Sequence, residues 1–117
     1  MSKIIHFEIP ASDIKRMIEF YSKAFGWKIE QWDGEEYWLV TAGSADDPGI
    51  NGAIYLKDWM KTVVDTISVK NLDEVIKKIT ENGGQIIKEP TDIPEVGKHA
   101  YFRDPEGTLM GIMETYG

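Results

Sequence analysis

The sequence predicts an α+β fold in which two tandem βαβββ units form a curved mixed sheet. The first observation is an internal repeat: a gapless shift of 58 positions superposes apolar residues and glycines of the two halves, such as Ile9 on Ile67 and Gly26 on Gly84. The second is that each half carries one strand pattern, one helix pattern and three more strand patterns, in that order. We expect one domain over residues 1–117, with units at about 3–57 and 62–115.

The first unit starts with a strand at Ile4–Ile9, in which apolar residues alternate with polar ones. Apolar residues then recur at helical spacing over Ile14–Phe25, after Ser12 or Asp13 as the N-cap and before Gly26 as the left-handed C-cap. Three strands follow at Trp27–Trp32, Tyr37–Thr41 and Gly52–Leu56, with Asp33-Gly34 as the hairpin turn between the first two.

The second unit repeats the order, with a strand at Val63–Val69 and a helix from about Leu72 to Asn82. Its remaining strands are predicted at Gln85–Lys88, His99–Arg103 and Leu109–Glu114, separated by a proline-bearing loop over Glu89–Lys98 and a type I turn at Asp104–Gly107. The charged segment Lys57–Thr62, which includes Trp59, is the predicted linker between the units.

The composition excludes several classes of function. The absence of cysteine rules out disulfides, thiolate metal sites and cysteine nucleophiles. A net charge of −7 disfavours nucleic acid, because phosphate binding needs a basic surface. The sequence has neither an apolar signal core at its start nor an apolar run of membrane-spanning length, so we expect a cytoplasmic protein that does not bind membranes.

Two stretches resemble the vicinal oxygen chelate superfamily, which includes glyoxalase I, extradiol dioxygenases and bleomycin resistance proteins. They are His6–Pro10 followed by Ser12–Trp27, and the turn Asp104–Gly107 followed by Gly111–Glu114. Within the superfamily, Asp47–Gly52 is most similar to small proteins related to lactoylglutathione lyase. The resemblance implies a glyoxalase-like fold, a small-molecule ligand and a homodimer that pairs exposed sheet edges.

The resemblance also implies four positions for metal ligands, of which only one carries a donor side chain. These positions are His6 and Val64 in the first strands and Ala53 and Gly111 in the last strands. Glu114 lies three residues past Gly111, so strand alternation places it on the opposite face of the sheet. We therefore expect no metal site on the superfamily's pattern and no other cofactor.

Alternation along the strands predicts which side chains share the concave face of the sheet. The candidate ligand-binding residues are His6, Glu8, Asn51, Tyr55, Thr66 and Ser68, accompanied by Val64, Met113 and one face each of Tyr37–Val40 and His99–Phe102. His6 and Glu8 are also the candidate catalytic acid–base pair, with Cα atoms about 7 Å apart.

Structural alternatives exist for the same residues. His6 can donate to a backbone carbonyl while Glu8 forms a surface or interface salt bridge, and His99 can be a solvent-exposed residue at a strand start. The four tryptophans suit a hydrophobic core or an oligomer interface as well as stacking on a planar ligand.

Three hypotheses of function follow. The first is a metal-free small-molecule-binding protein, which includes the capture of a cationic drug in the manner of bleomycin resistance proteins. The second is a lyase or isomerase in which His6 or Glu8 moves a proton, an effect worth about 10²–10⁴-fold in rate. The third is a docking module with a vestigial pocket.

Overall fold

The computed structural model describes residues 2–56 and 61–117. Most of the predicted linker, including Trp59, lies outside these residues. The described elements follow in the predicted order: β1 (Ile4–Ala11), α1 (Ile14–Phe25), β2 (Lys28–Gln31), β3 (Tyr37–Thr41), β4 (Gly52–Leu56), β5 (Val64–Ser68), α2 (Leu72–Glu81), β6 (Gln85–Ile93), β7 (Gly97–Arg103) and β8 (Leu109–Thr115). Within this part of the chain, neither helix has the length and apolar character needed to cross a membrane.

The chain divides into two compact units, which we call the N-terminal unit (His6–Val63) and the C-terminal unit (Met1–Ile5 with Val64–Gly117). The strands of the N-terminal unit lie in the order β2-β3-β4-β1, and those of the C-terminal unit in the order β5-β8-β7-β6. In each unit the first and last strands pair in parallel and the other pairs are antiparallel. The prediction of an α+β fold with two βαβββ units and mixed strand pairing is confirmed.

Each unit has its own hydrophobic core between its helix and one face of its strands. In the N-terminal unit, Ala11, Val40 and Ile54 are buried against apolar side chains of α1 such as Met17 and Ile18. In the C-terminal unit, the corresponding buried cluster is Val69, Leu72, Ala100, Phe102 and Ile112. Burying one such aliphatic side chain contributes about 1.5–3 kcal/mol, so these clusters are the main source of each unit's stability.

The ends of α1 form as the sequence predicts. Asp13 is the N-cap and accepts a hydrogen bond from the Arg16 backbone N–H, while Gly26 ends the helix in the left-handed conformation with φ of 73°. Asp33 and Gly34 both have positive φ and form a tight turn within the five-residue connection between β2 and β3, where the Glu35 N–H donates to the Trp32 carbonyl. These local signals fix where α1 ends and where β2 turns into β3.

The predicted loop over Glu89–Lys98 is wrong, because most of it is strand. Strand β6 continues to Ile93 and β7 starts at Gly97, so only a short turn separates them. Strand β6 tolerates Pro90 because it lies at the edge of its unit's strand order and contains register shifts between Ile86 and Thr91. Strand β1 likewise continues past the predicted end at Ile9, through Pro10 to Ala11.

Candidate functional site

The face of the N-terminal unit opposite α1 carries polar and aromatic side chains. Neighbouring strands align Glu8 with Ala53 and Tyr37 with Tyr55, and residues in register share a face. His6 joins them because it is two residues before Glu8 on β1. The structure therefore brings together three of the predicted ligand-binding residues, His6, Glu8 and Tyr55, and adds Tyr37.

His6 and Tyr37 share a short hydrogen bond. The His6 Nε2 atom lies 2.6 Å from the Tyr37 hydroxyl oxygen, and the two rings are nearly parallel, with centroids 6.3 Å apart. Burial lowers the pKa of His6 below its ordinary value of 6.5, while the charge of Glu8 acts in the opposite direction. His6 is thus a neutral imidazole at pH 7, able to accept a proton from a bound molecule.

Tyr37 is the centre of a group of aromatic rings on this side of the unit. Its ring packs edge-to-face against Tyr55, with centroids 4.6 Å apart, and against Trp32 at 6.1 Å. Edge-to-face pairs of this kind hold rings in fixed orientations, because the positive edge of one ring meets the negative face of the other. The hydroxyl of Tyr37 is therefore held in place beside His6.

Glu8 is buried, with 4% of its surface exposed. This burial contradicts a salt bridge of Glu8 at the surface, while a salt bridge at an interface between chains stays a prediction. The hydrogen-bond partner of His6 is the Tyr37 side chain, whereas the structural alternative was a backbone carbonyl. The carboxyl group of Glu8 and the imidazole of His6 thus give this face two groups that can exchange a proton with a ligand.

Asn51 lies outside this group. It precedes β4, is exposed, and its side-chain oxygen accepts a hydrogen bond of 2.9 Å from the backbone N–H of Ala42. This contact joins the two ends of the loop between β3 and β4, so Asn51 has a structural role in the loop.

The C-terminal unit carries a second polar face, on the side opposite α2. Pairing aligns Thr66 and Tyr101 with Gly111, and Ser68 and His99 with Met113. Thr66 is 1% exposed, and among the described residues its hydroxyl oxygen has no hydrogen-bond partner. The two remaining predicted ligand-binding residues, Thr66 and Ser68, thus share this face with His99.

The prediction of His99 as a solvent-exposed residue at a strand start is wrong. His99 is the third residue of β7 and is half-buried, with its ring 4.5 Å from that of Tyr101 in an edge-to-face arrangement. A Cβ atom at position 111 would lie 3.0 Å from His99 Nε2 and 2.7 Å from Thr66 Oγ1. The ring of His99 therefore lies against Gly111.

The residues at the superfamily's metal-ligand positions do not fit a metal. Ala53, Val64 and Gly111 have no donor atoms, and the space next to Gly111 is occupied by Thr66 and His99. Within residues 2–56 and 61–117, no three His, Asp or Glu side chains are grouped so as to hold an ion. Glu114 accepts a hydrogen bond of 2.8 Å from the Leu72 N–H at the start of α2, which confirms that it points to the helix side of its strand.

Two surface grooves of about 460 and 480 Å³ lie along α1 and share Arg16 and Phe20 as lining residues. Neither is lined by a predicted site residue. We place the candidate site on the strand faces, because that is where the buried acid–base groups lie.

Sequence reasoning did not single out Tyr37. Alternation put one face of Tyr37–Val40 on the correct side, but the residue facing Tyr55 depends on the register of two strands separated by a long loop. The strand predicted to begin at His99 was expected to contribute to the concave face, but the predicted proline-bearing loop before it suggested that His99 itself lies at the surface.

Comparison with known proteins agrees with this architecture. The family model of the Glyoxalase/Bleomycin resistance protein/Dioxygenase superfamily matches residues 3–112. A glyoxylase-like domain-containing protein of Didymella fabae is 29% identical over 118 aligned positions, which cover 90% of this chain and 88% of that protein.

Two solved structures share the fold. Protein BH1468 of Bacillus halodurans C-125 superposes with a TM-score of 0.70 at 18% identity, covering 99% of this chain and 96% of that one. A Streptomyces coelicolor methylmalonyl-CoA epimerase in complex with 2-nitronate-propionyl-CoA superposes with a TM-score of 0.72 at 15% identity, covering 98% of this chain and 95% of that one.

Proposed function

Because the chain belongs to the Glyoxalase/Bleomycin resistance protein/Dioxygenase superfamily, we propose that it binds a small molecule through side chains, without a metal on the superfamily's pattern. Each face is proposed by itself as a place of ligand contact: His6, Glu8, Tyr37 and Tyr55 on the face of the N-terminal unit, and Thr66 and Ser68 on the face of the C-terminal unit. The observation that carries the proposal is the half-buried His6, with its lowered pKa, hydrogen-bonded to Tyr37 beside the buried Glu8.

The composition of this face supports a small-molecule ligand. Small-molecule sites combine a majority of apolar and aromatic surface with a few fixed polar groups. The N-terminal face follows this pattern, with Trp32, Tyr37 and Tyr55 as aromatic surface and His6 and Glu8 as polar groups. The aromatic packing fixes the Tyr37 hydroxyl before a ligand arrives, which lowers the entropic cost of binding.

A thermal-shift screen of small molecules in the presence of EDTA tests the proposal. We expect compounds that raise the unfolding temperature of the wild-type protein in EDTA, and we expect His6→Ala to lose this response. Lys28→Ala, an exposed change on β2, serves as the matched control and should respond like wild type. Stabilisation that requires added divalent metal would contradict the proposal.

Direct titration with metals gives the complementary prediction. Calorimetry with Ni²⁺, Zn²⁺ and Mn²⁺ should show no tight stoichiometric site, because one imidazole without further donors does not hold these ions firmly. A tight site with one ion per chain, or one per two chains, would be incompatible with the proposed metal-free binding.

A second candidate function is metal-free proton transfer, as in a lyase or isomerase. The lowered pKa of His6 favours it, since a neutral imidazole at pH 7 is a competent general base. If the protein turns over an activated carbonyl substrate, His6→Ala and Glu8→Ala should each lower kcat by about 10²-fold or more. Turnover that persists in both variants would exclude this mechanism.

A third candidate is the capture of a cationic drug. Ring faces of Trp32, Tyr37 and Tyr55 near the buried Glu8 suit a cation, and the chain's charge of −7 favours its approach. Cells that express the protein should then survive higher concentrations of bleomycin-like compounds than cells that express Tyr37→Ala.

A further inference from the structure

Gly111 lies in the middle of the polar face of the C-terminal unit. Thr66 on β5 and Tyr101 on β7 are in register with it on its two sides. The ring of His99 lies on the same face, next to Gly111. A Cβ atom at position 111 would be 2.7 Å from Thr66 Oγ1, closer than real Cβ contacts come. A larger residue at this position would therefore have to move the Thr66 and His99 side chains, which glycine leaves in place.

The side chain of Thr66 has a buried hydroxyl next to Gly111. Its oxygen has no hydrogen-bond partner among the described residues, and the side chain is 1% exposed. Native structures leave few buried polar groups unpaired, because such a group gives up water without a replacement bond. Valine has nearly the same shape and would avoid that loss, so the hydroxyl is costly for the fold alone.

We propose that Thr66, His99 and Gly111 form an oxygen-binding subsite, in which the Thr66 hydroxyl donates a hydrogen bond to a carbonyl or carboxylate oxygen of the ligand. Thr66 Oγ1 and His99 Nε2 lie 2.7 and 3.0 Å from the position that a Cβ atom of residue 111 would take, so the two atoms are less than about 6 Å apart. At that separation both are within hydrogen-bond reach of a single ligand oxygen. His99 is half-buried, so part of its surface stays accessible to a ligand.

This subsite deepens the proposed function, on which it rests, by naming the chemistry of one ligand group. It replaces a metal–oxygen contact by a hydrogen bond from the Thr66 hydroxyl, with His99 beside it. Gly111 contributes by its lack of a side chain, which leaves Thr66 and His99 room to converge.

The two histidines of the chain make the subsite measurable, because one lies in each unit. In protein labelled with ¹⁵N-histidine, the ring signals of His6 and His99 report on the two faces separately. Titration with acetate supplies a carboxylate oxygen, and titration with acetamide supplies a neutral carbonyl oxygen. We expect a saturable shift of the His99 ring signals with at least one of the two probes.

Thr66→Val is the decisive variant, because it removes the hydroxyl and keeps the shape. We expect it to weaken probe binding about fivefold or more, the effect of losing one hydrogen bond. The unfolding temperature should stay the same or rise. Thr41→Val makes the same chemical change at an exposed strand position and should bind like wild type.

Two results would overturn the subsite. One is the absence of a saturable shift at His99 with both probes, and the other is wild-type affinity in folded Thr66→Val. Gly111→Ala adds a second check, since the added methyl group should abolish the His99 response while leaving the His6 signals in place. A response at His99 with none at His6 supports the subsite while counting against His6 as a ligand contact, so the two proposals fail separately.

Discussion

At the scale of single residues, His6 and Tyr37 determine the chemistry of the N-terminal face. The hydrogen bond of 2.6 Å fixes the imidazole, and burial keeps it neutral. When Nε2–H donates to the Tyr37 hydroxyl oxygen, the other ring nitrogen, Nδ1, keeps its lone pair and can accept a proton from a ligand. Tyr37 thus selects which nitrogen is available, and its contacts with Tyr55 and Trp32 hold it in position.

The lowered pKa of His6 predicts a pH dependence of stability. Below pH 6.5 the unfolded chain protonates this histidine while the folded chain resists protonation, so the free energy of unfolding should fall as pH drops below about 6.5. Urea unfolding at several values between about pH 5 and 8 measures the slope. His6→Gln should reduce the slope of the free energy of unfolding against pH. His99→Gln should leave the contribution of His6 to that slope unchanged. An unchanged slope in His6→Gln would show that the folded protein does not hold His6 neutral.

The buried hydroxyl of Thr66 predicts an unusual response to substitution. Thr66→Val should leave the free energy of unfolding unchanged or raise it by about 1 kcal/mol, because it removes a buried polar group that lacks a partner among the described residues. Chemical denaturation of the ligand-free protein measures this. A loss of about 1 kcal/mol or more would indicate that the hydroxyl is bonded within the folded protein.

At the scale of elements, features set by neighbouring residues could be predicted, and features set by distant strand partners could not. The bounds of α1 are correct because Asp13 and Gly26 act on their nearest neighbours. The extent of β6 was missed because pairing with β7 outweighs the local effect of Pro90, which a strand edge tolerates. Local signals thus predict helices well, while strand lengths depend on partners far along the chain.

The start of α2 depends on a residue distant in sequence. Glu114, on β8, accepts the backbone N–H of Leu72, and Asn71 accepts that of Glu74, so two of the unpaired donors at the helix start are satisfied. The negative charge of Glu114 also favours this end of the helix dipole. Sequence alternation correctly placed Glu114 away from the polar face but could not identify this partner.

Glu114→Ala should therefore destabilise the protein by roughly 0.5–2 kcal/mol, the range for loss of a helix N-terminal acceptor. The free energy of unfolding from urea titrations is the appropriate measurement. Glu106→Ala, an exposed change in the turn before β8, is the matched control and should stay within about 0.5 kcal/mol of wild type. Equal stability of the two variants would argue against a capping role for Glu114.

At the scale of the whole molecule, exposed strand edges lead us to expect self-association. Strand β2 ends the strand order of the N-terminal unit and β6 that of the C-terminal unit, and β6 is exposed over most of its length. Edge strands present unpaired backbone groups that another chain can bind. Light scattering coupled to size exclusion should give twice the chain mass. A single-chain mass at high protein concentration would contradict a homodimer.

One feature of the C-terminal unit bears on how the polypeptide can be divided. The Ser68 N–H donates to the Lys3 carbonyl at 2.8 Å, so the opening residues group with a segment more than sixty positions away. Severing the polypeptide midway between the two repeats would deprive the later fragment of this acceptor. Fragment complementation or circular permutation should consequently keep residues 2–5 covalently joined to the portion that starts at Val64.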